Sequence, residues 1–102
     1  EAEAAGLPYW IVGHVGDGNF HLSYLLDPHN AEEAATAERL SEQMVQRAIR
    51  LGGTCTGEHG IGLHKVGYLV EEAGAGAVAV MRRIKQALDP QNIMNPGKIF
   101  AV

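Results

Sequence analysis

The sequence predicts an α+β fold, an antiparallel sheet of ferredoxin-like layout with helices packed on it, and three observations carry that expectation. Two β-prone apolar stretches, at residues 7–15 and 20–26, flank an Asp17-Gly18 step, which is a hairpin pattern. A capped helical pattern then runs from Asn30 to Leu51. A short β-prone piece at 54–56 and two further helical patterns complete a strand–strand–helix–strand order.

Leu7 to Val15 reads as a buried strand because Tyr9, Trp10, Ile11 and Val12 favour extended backbone. Asp17-Gly18 suits a type I′ turn, whose two central residues need positive φ. In that register Gly16 opposes Asn19, Val15 opposes Phe20 and His14 opposes His21, with Phe20 to Leu26 returning. Trp10, Val12, His14, His21, Ser23 and Leu25 then share one face, and Ile11, Val15, Phe20, Leu22 and Tyr24 the other. Both faces are largely apolar, so the hairpin is expected to have cover on each side. Asp27-Pro28 ends it.

Asn30 is placed as an N-cap, with Glu33 completing a capping box. Ala37, Leu40, Met44, Ala48 and Leu51 form one apolar stripe, Arg47 and Arg50 suit the C-terminal dipole, and Gly52-Gly53 ends the helix. Thr54 to Thr56 reads as a short strand, His64 to Glu72 as a short helix, and about Gly76 to Leu88 as another helix. In the last, Ala77, Val80, Met81, Ile84 and Leu88 are expected inward, and Asp89-Pro90 stops it. The tail reads as a turn at Asn95-Pro96-Gly97 and a short extended piece.

With 102 residues the chain is expected to form one domain with one core. Its opening, EAEAAGLP, reads as a helix ending at Gly6, and its close, Ile99 to Val102, is apolar with nothing after it to pack on. Both ends suggest a segment of a longer protein. The net charge of −4 is mild, and Arg82, Arg83 and Lys85 are the only basic cluster, so a nucleic-acid partner is not expected. No apolar run approaches membrane-spanning length. The single Cys55 excludes an internal disulfide and fits a reducing compartment.

Two stretches could carry chemistry. In GHVGDGNFH, the turn sets His14 and His21 side by side, with Cβ atoms roughly 5 Å apart. Paired imidazoles can grip one divalent metal, or each can be an ordinary structural histidine. In GEHGIG, residues 57–62, glycines flank Glu58 and His59 and let a ligand approach. In an extended segment those two side chains point opposite ways and can serve adjoining sites. Glu58 could complete a His-His-Glu metal set with an open position, and His59 could take a proton from a substrate hydroxyl. A solvated loop with a stray Glu-His pair is the bland alternative. GEHGIG is no dinucleotide fingerprint, because Lys65 stands where a third glycine belongs. Cys55 reads as a small apolar filler without an adjacent base. His29 and His64 sit at helix starts and are expected to be exposed.

Taken together, GHVGDGNFH, GGTCTGEHGIG and the closing LDPQNIMNPGKIF resemble the C-terminal part of FAD-linked oxidases of the vanillyl-alcohol-oxidase superfamily. The similarity is greatest on the branch of cytochrome-linked D-lactate dehydrogenases, the glycolate oxidase flavin subunit and D-2-hydroxyglutarate dehydrogenase. The resemblance implies metal ligation by His14, His21 and Glu58, with zinc or manganese as the metal, and proton abstraction by His59. It implies FAD as cofactor, with Asn95 and Lys98 in the NPGK tail placed where the family's chain returns to the flavin domain. The glycine at Gly57 and the serine at Ser23 lean toward D-lactate rather than hydroxyglutarate enzymes.

The expected function is therefore part of an FAD-dependent D-2-hydroxy-acid dehydrogenase, acting on D-lactate or glycolate. Its partners would be an upstream FAD-binding domain and a cytochrome, quinone or electron-transfer flavoprotein as acceptor. The location implied is a reducing compartment, the cytoplasm or in a eukaryote the mitochondrion, with membrane association through a partner. The alternatives are a standalone metal-binding module and a structural α+β interaction module without catalysis.

Overall fold

The computed structural model describes residues 2–100 and is α+β, with a two-stranded antiparallel sheet and three α-helices among those residues. It forms two compact units, one up to Ala48 and one from Ile49. Among the described residues no helix is long and apolar enough to cross a membrane.

The first unit opens on a tight turn where a helix was expected. The amides of Ala5 and Gly6 donate to the carbonyls of Ala2 and Glu3, and Gly6 takes φ +70° to send the chain into the sheet. Strands β1 (Tyr9–Val12) and β2 (His21–Tyr24) pair with Tyr9 opposite Tyr24, Trp10 opposite Ser23, Ile11 opposite Leu22 and Val12 opposite His21. This register is two residues away from the expected one, so Trp10, Val12, His21 and Ser23 still share one face and Ile11, Leu22 and Tyr24 the other, while the opposed pairs change and His14, Val15, Phe20 and Leu25 fall outside the strands.

The cause lies at the turn. Val15–Asp17 forms a single 3-10 turn, and Gly18 follows it in the left-handed region at φ 72°, ψ 12°. The Asn19 amide donates to the His14 carbonyl at 3.2 Å and the Gly18 amide to the Val15 carbonyl at 3.0 Å, the paired bonds of a Schellman closure. Asp17-Gly18 thus ends a helical turn instead of making a two-residue hairpin, and the loop widens. Gly13 closes it: a Cβ there would lie 2.4 Å from the Asn19 carbonyl oxygen and 2.6 Å from the Phe20 Cα, so only glycine permits the approach.

Helix α1 (Ala31–Arg50) begins as the sequence predicts, with Asn30 Oδ1 accepting from the amides of Glu32 and Glu33. Glu33 reaches back one turn further than in a capping box, its Oε2 accepting from the Asp27 amide at 2.9 Å. Ala37 and Leu40 of the stripe are buried with Leu7, and Tyr24 and Leu26 pack against them.

In the second unit Gly52, at φ +81°, follows α1, and Leu51 of the predicted stripe is exposed. Thr54 to Thr56 is a bend, not a strand, with the Thr54 hydroxyl accepting from the Thr56 amide. Helices α2 (Val66–Ala73) and α3 (Ala75–Leu88) are joined by Gly74 alone, at φ 84°. Their core is Leu69, Val78 and Phe100, with Ile61, Ala73 and Met81 against it.

The predicted inward face of α3 is rotated. Val80, Ile84 and Leu88 are exposed, whereas Val78, Met81, Lys85 and the capping Asp89 line the covered side. That face ends in an ion pair, which counting apolar residues alone would place outward. The tail turns at Asn95 (φ 47°) and Gly97 (φ 74°), then bends where an extended piece was expected, and Phe100 enters the core. Ala101 and Val102, the end of the expected apolar close, lie outside the described residues.

Candidate functional site

His14 and His21 belong to the first unit, but they are not cross-strand neighbours, because Val12 occupies the position opposite His21. His14 is exposed and sits at the entry of the 3-10 turn, its carbonyl accepting from the amides of Asp17 at 2.9 Å and Asn19 at 3.2 Å. His21 is half-buried as the first residue of β2. The two-residue turn that would set the imidazoles side by side is replaced by the wider loop, so the expected geometric pairing is corrected. His14 is fixed by the loop closure and His21 by the sheet.

Glu58 and His59 belong to the second unit, in the irregular stretch between α1 and α2. The expectation that they point to opposite sides fails here. The segment is bent instead of extended, and His59 Nε2 lies 3.5 Å from Glu58 Oε1. Both side chains are accessible, at 79% for His59 and 45% for Glu58. Gly60 and Gly62, at φ +74° and +54°, supply the curvature that follows. The arrangement places a carboxylate and an imidazole side by side at an accessible position, and an imidazole ring can accept or donate a proton there.

The backbone of this stretch is tied down at Cys55, which is 2% exposed. Its amide donates to Glu72 Oε2 at 2.7 Å, and its carbonyl accepts from Lys65 Nζ at 2.7 Å. Burial, followed by the hydrogen bond and negative charge of Glu72, pushes the Cys55 thiol up to about 11, against the opposing pull of Lys65. The expected role of Cys55 as a small buried filler agrees with this. Glu72 is lowered, chiefly by the bond from the Cys55 amide.

Asn95 and Lys98 share the tail turn, where the Lys98 amide donates to the Asn95 carbonyl at 3.4 Å. That turn hangs from Asp89, whose Oδ1 accepts from the Ile93 amide at 3.0 Å and whose Oδ2 accepts from the Met94 amide at 2.8 Å. Lys85 Nζ bridges Asp89 Oδ2 and the Met94 carbonyl. His29 and His64 are exposed, as expected.

Sequence reasoning missed Lys65, Glu72, Lys85 and Asp89. The only signal was spacing: Lys65 and Glu72 are seven residues apart, two helical turns on one face, and Lys85 and Asp89 are four apart. Apart from the Lys85–Asp89 pair itself, their partners are backbone atoms of the neighbouring loops, which no side-chain pattern reveals.

Compared with known proteins, residues 1–99 match the family described as FAD linked oxidases, C-terminal domain. The chain is 54% identical over 102 residues to a mitochondrial D-lactate dehydrogenase [cytochrome] of Kluyveromyces lactis, covering 100% of this chain and 17% of that protein. It is 48% identical over 100 residues to the corresponding protein of Arabidopsis thaliana, covering 98% of this chain and 18% of that one. It is 44% identical over 89 residues to glycolate oxidase subunit GlcD of Bacillus subtilis, covering 87% of this chain and 19% of that subunit. The chain thus spans less than a fifth of each of these relatives.

Proposed function

The chain belongs to the family of FAD-linked oxidase C-terminal domains, and on that premise we propose that it is part of an FAD-dependent D-2-hydroxy-acid dehydrogenase. D-lactate is the favoured substrate and glycolate the next, oxidised to the 2-oxo acid. The observation that carries this reading is the 54% identity to a cytochrome-type D-lactate dehydrogenase over the whole chain. The accessible Glu58–His59 pair supports it as a place where a hydroxyl proton can go.

In the proposed mechanism His59 accepts the proton of the substrate's 2-hydroxyl as the C2 hydrogen leaves with its electron pair. His14, His21 and Glu58 are the proposed ligands of a divalent metal. Two imidazoles and a carboxylate fit zinc or manganese and leave positions open, which is the pattern of a catalytic set. For FAD the chain offers an amide and an ammonium, Asn95 and Lys98, in a turn braced by Asp89; the remainder of that site is assigned to an upstream FAD-binding domain. When bound, FAD supplies the two-electron acceptor and the metal a positive charge beside the hydroxy acid. In domain terms, residues 1–102 form the C-terminal part of the substrate-binding region, with the tail from 90 returning to the flavin domain.

Cytochrome is the favoured electron acceptor, with quinone or an electron-transfer flavoprotein as the others, and in a eukaryote the mitochondrion is the proposed location. Both follow the names of the relatives. The reading is tested by His59→Ala in the full-length protein. Flavin reduction by D-lactate should fall by at least about 100-fold while FAD stays bound. Undiminished reduction overturns the role of His59.

A further inference from the structure

Between α1 and α2 the chain has no ladder or helix to fix it, yet it carries Glu58 and His59. One residue in this stretch is anchored at both of its backbone polar groups. The Cys55 amide donates to a carboxylate in the last turn of α2, Glu72, and the Cys55 carbonyl accepts from the ammonium at its N-cap, Lys65. Both bonds are charge-assisted, and both end on a residue that is 2% exposed, where such bonds are stronger than on an open surface. Only two residues, Thr56 and Gly57, lie between Cys55 and Glu58, a reach of at most about 10 Å, so a slip at Cys55 passes directly to the pair.

We infer that Lys65 and Glu72 are positioning residues that clamp the loop at Cys55 and so set where Glu58 and His59 present their side chains. The inference rests on the reading of those two as ligand and base. Opposite charges at the two ends of α2 grip one peptide unit on each side of a single residue, which fixes its orientation as well as its place. Neither residue touches the reacting atoms. Their effect is on the precision with which the loop meets the substrate, and loss of a supporting partner of this kind typically costs about 10- to 100-fold.

The test uses the full-length holoenzyme with Glu72→Ala, Glu72→Gln, Lys65→Met and His59→Ala. Three quantities are measured: anaerobic flavin reduction by D-lactate, FAD per protein, and N-ethylmaleimide labelling of Cys55 followed by peptide mass spectrometry. Glu72→Ala should slow flavin reduction about 10- to 100-fold at saturating substrate, leave FAD content unchanged and speed labelling of Cys55. Glu72→Gln keeps an acceptor for the Cys55 amide and should recover most of the rate. Should Glu72→Ala fail to fold, Lys65→Met carries the same two readouts.

Faster labelling with unchanged flavin reduction overturns the positioning role, and unchanged labelling overturns the clamp itself. Undiminished reduction in His59→Ala instead overturns the functional reading. The labelling rates still report on the clamp in that case.

Discussion

At Asp89 a single buried carboxylate gathers the amides of Ile93 and Met94 and the ammonium of Lys85, and so ties the tail turn of Asn95 and Lys98 to the end of α3. The Lys85 hydrogen bond, helped by the two amides and opposed by burial, holds this carboxyl below the usual carboxylate range. A carboxyl lowered on folding contributes stability above its unfolded value, about 3.9, and loses it only as pH falls through the lower folded value. Between pH 7 and about 4 the tail turn should therefore keep its order, and it should loosen only in stronger acid. Asp89→Asn removes the ion pair at every pH while leaving one acceptor. The Ile93 and Met94 amides should then exchange with solvent about tenfold faster at pH 7, as read by hydrogen exchange. Sequence reasoning saw Asp89 only as a helix stop before Pro90, because its partners are main-chain groups up to five residues on. The same blindness applies to Glu72 and Lys65. By contrast Glu58 and His59, the proposed ligand and base, stand out in the sequence, since two such groups between glycines have little local reason to be there.

At the level of elements, what was readable divides by the kind of force that decides it. Helix α1 began where the cap at Asn30 placed it, and α2 and α3 lie within two residues of their predicted starts, because caps, glycines and proline act locally. The hairpin and the faces of residues 9–12 and 21–24 follow from the sequence pattern, whereas the register does not. Asp17-Gly18 carries a positive-φ glycine under either turn, and the observed one brings Gly13 close to the main chain of Asn19 and Phe20, a contact that a local turn pattern does not contain. The Thr54–Thr56 strand failed for a related reason: its backbone bonds go to the side chains of α2 and to Thr54 itself instead of a neighbouring strand. The hairpin offers a contrast between two glycines. Gly13→Ala places a Cβ against main-chain atoms that cannot rotate away, so the loop must open, at a cost of about 1–3 kcal/mol. Gly16→Ala meets nothing within 4 Å and should change stability by no more than about 0.5 kcal/mol. Thermal unfolding of the two variants in the full-length protein checks the difference, and equal losses would show that Gly13 does not set the register.

For the whole molecule, the sheet is the element least able to stand as it is. Two strands of four residues are marginal in water, and this pair leaves Tyr9, Trp10, Ile11 and Val12 of one strand exposed on both faces. Phe20 and Leu25 at the ends of the return strand are exposed as well. An apolar surface of this extent is normally covered. The sequence predicts as much, since both faces are largely apolar and, within the strands, His21 and Ser23 fall on only one of them. The chain spans 17% to 19% of its relatives. The physical consequence is measurable at the main chain. In the isolated chain the outward amides of Tyr9 to Val12 have only water as partner and should exchange within seconds. In the full-length protein, strands or helices that cover the hairpin should slow the same amides by at least about 100-fold. Mass-spectrometric hydrogen exchange on the peptide spanning residues 7–15, in both forms, decides it. Equal, fast exchange in the two would mean that the hairpin works uncovered, and that its apolar faces await a separate partner instead of the rest of their own chain.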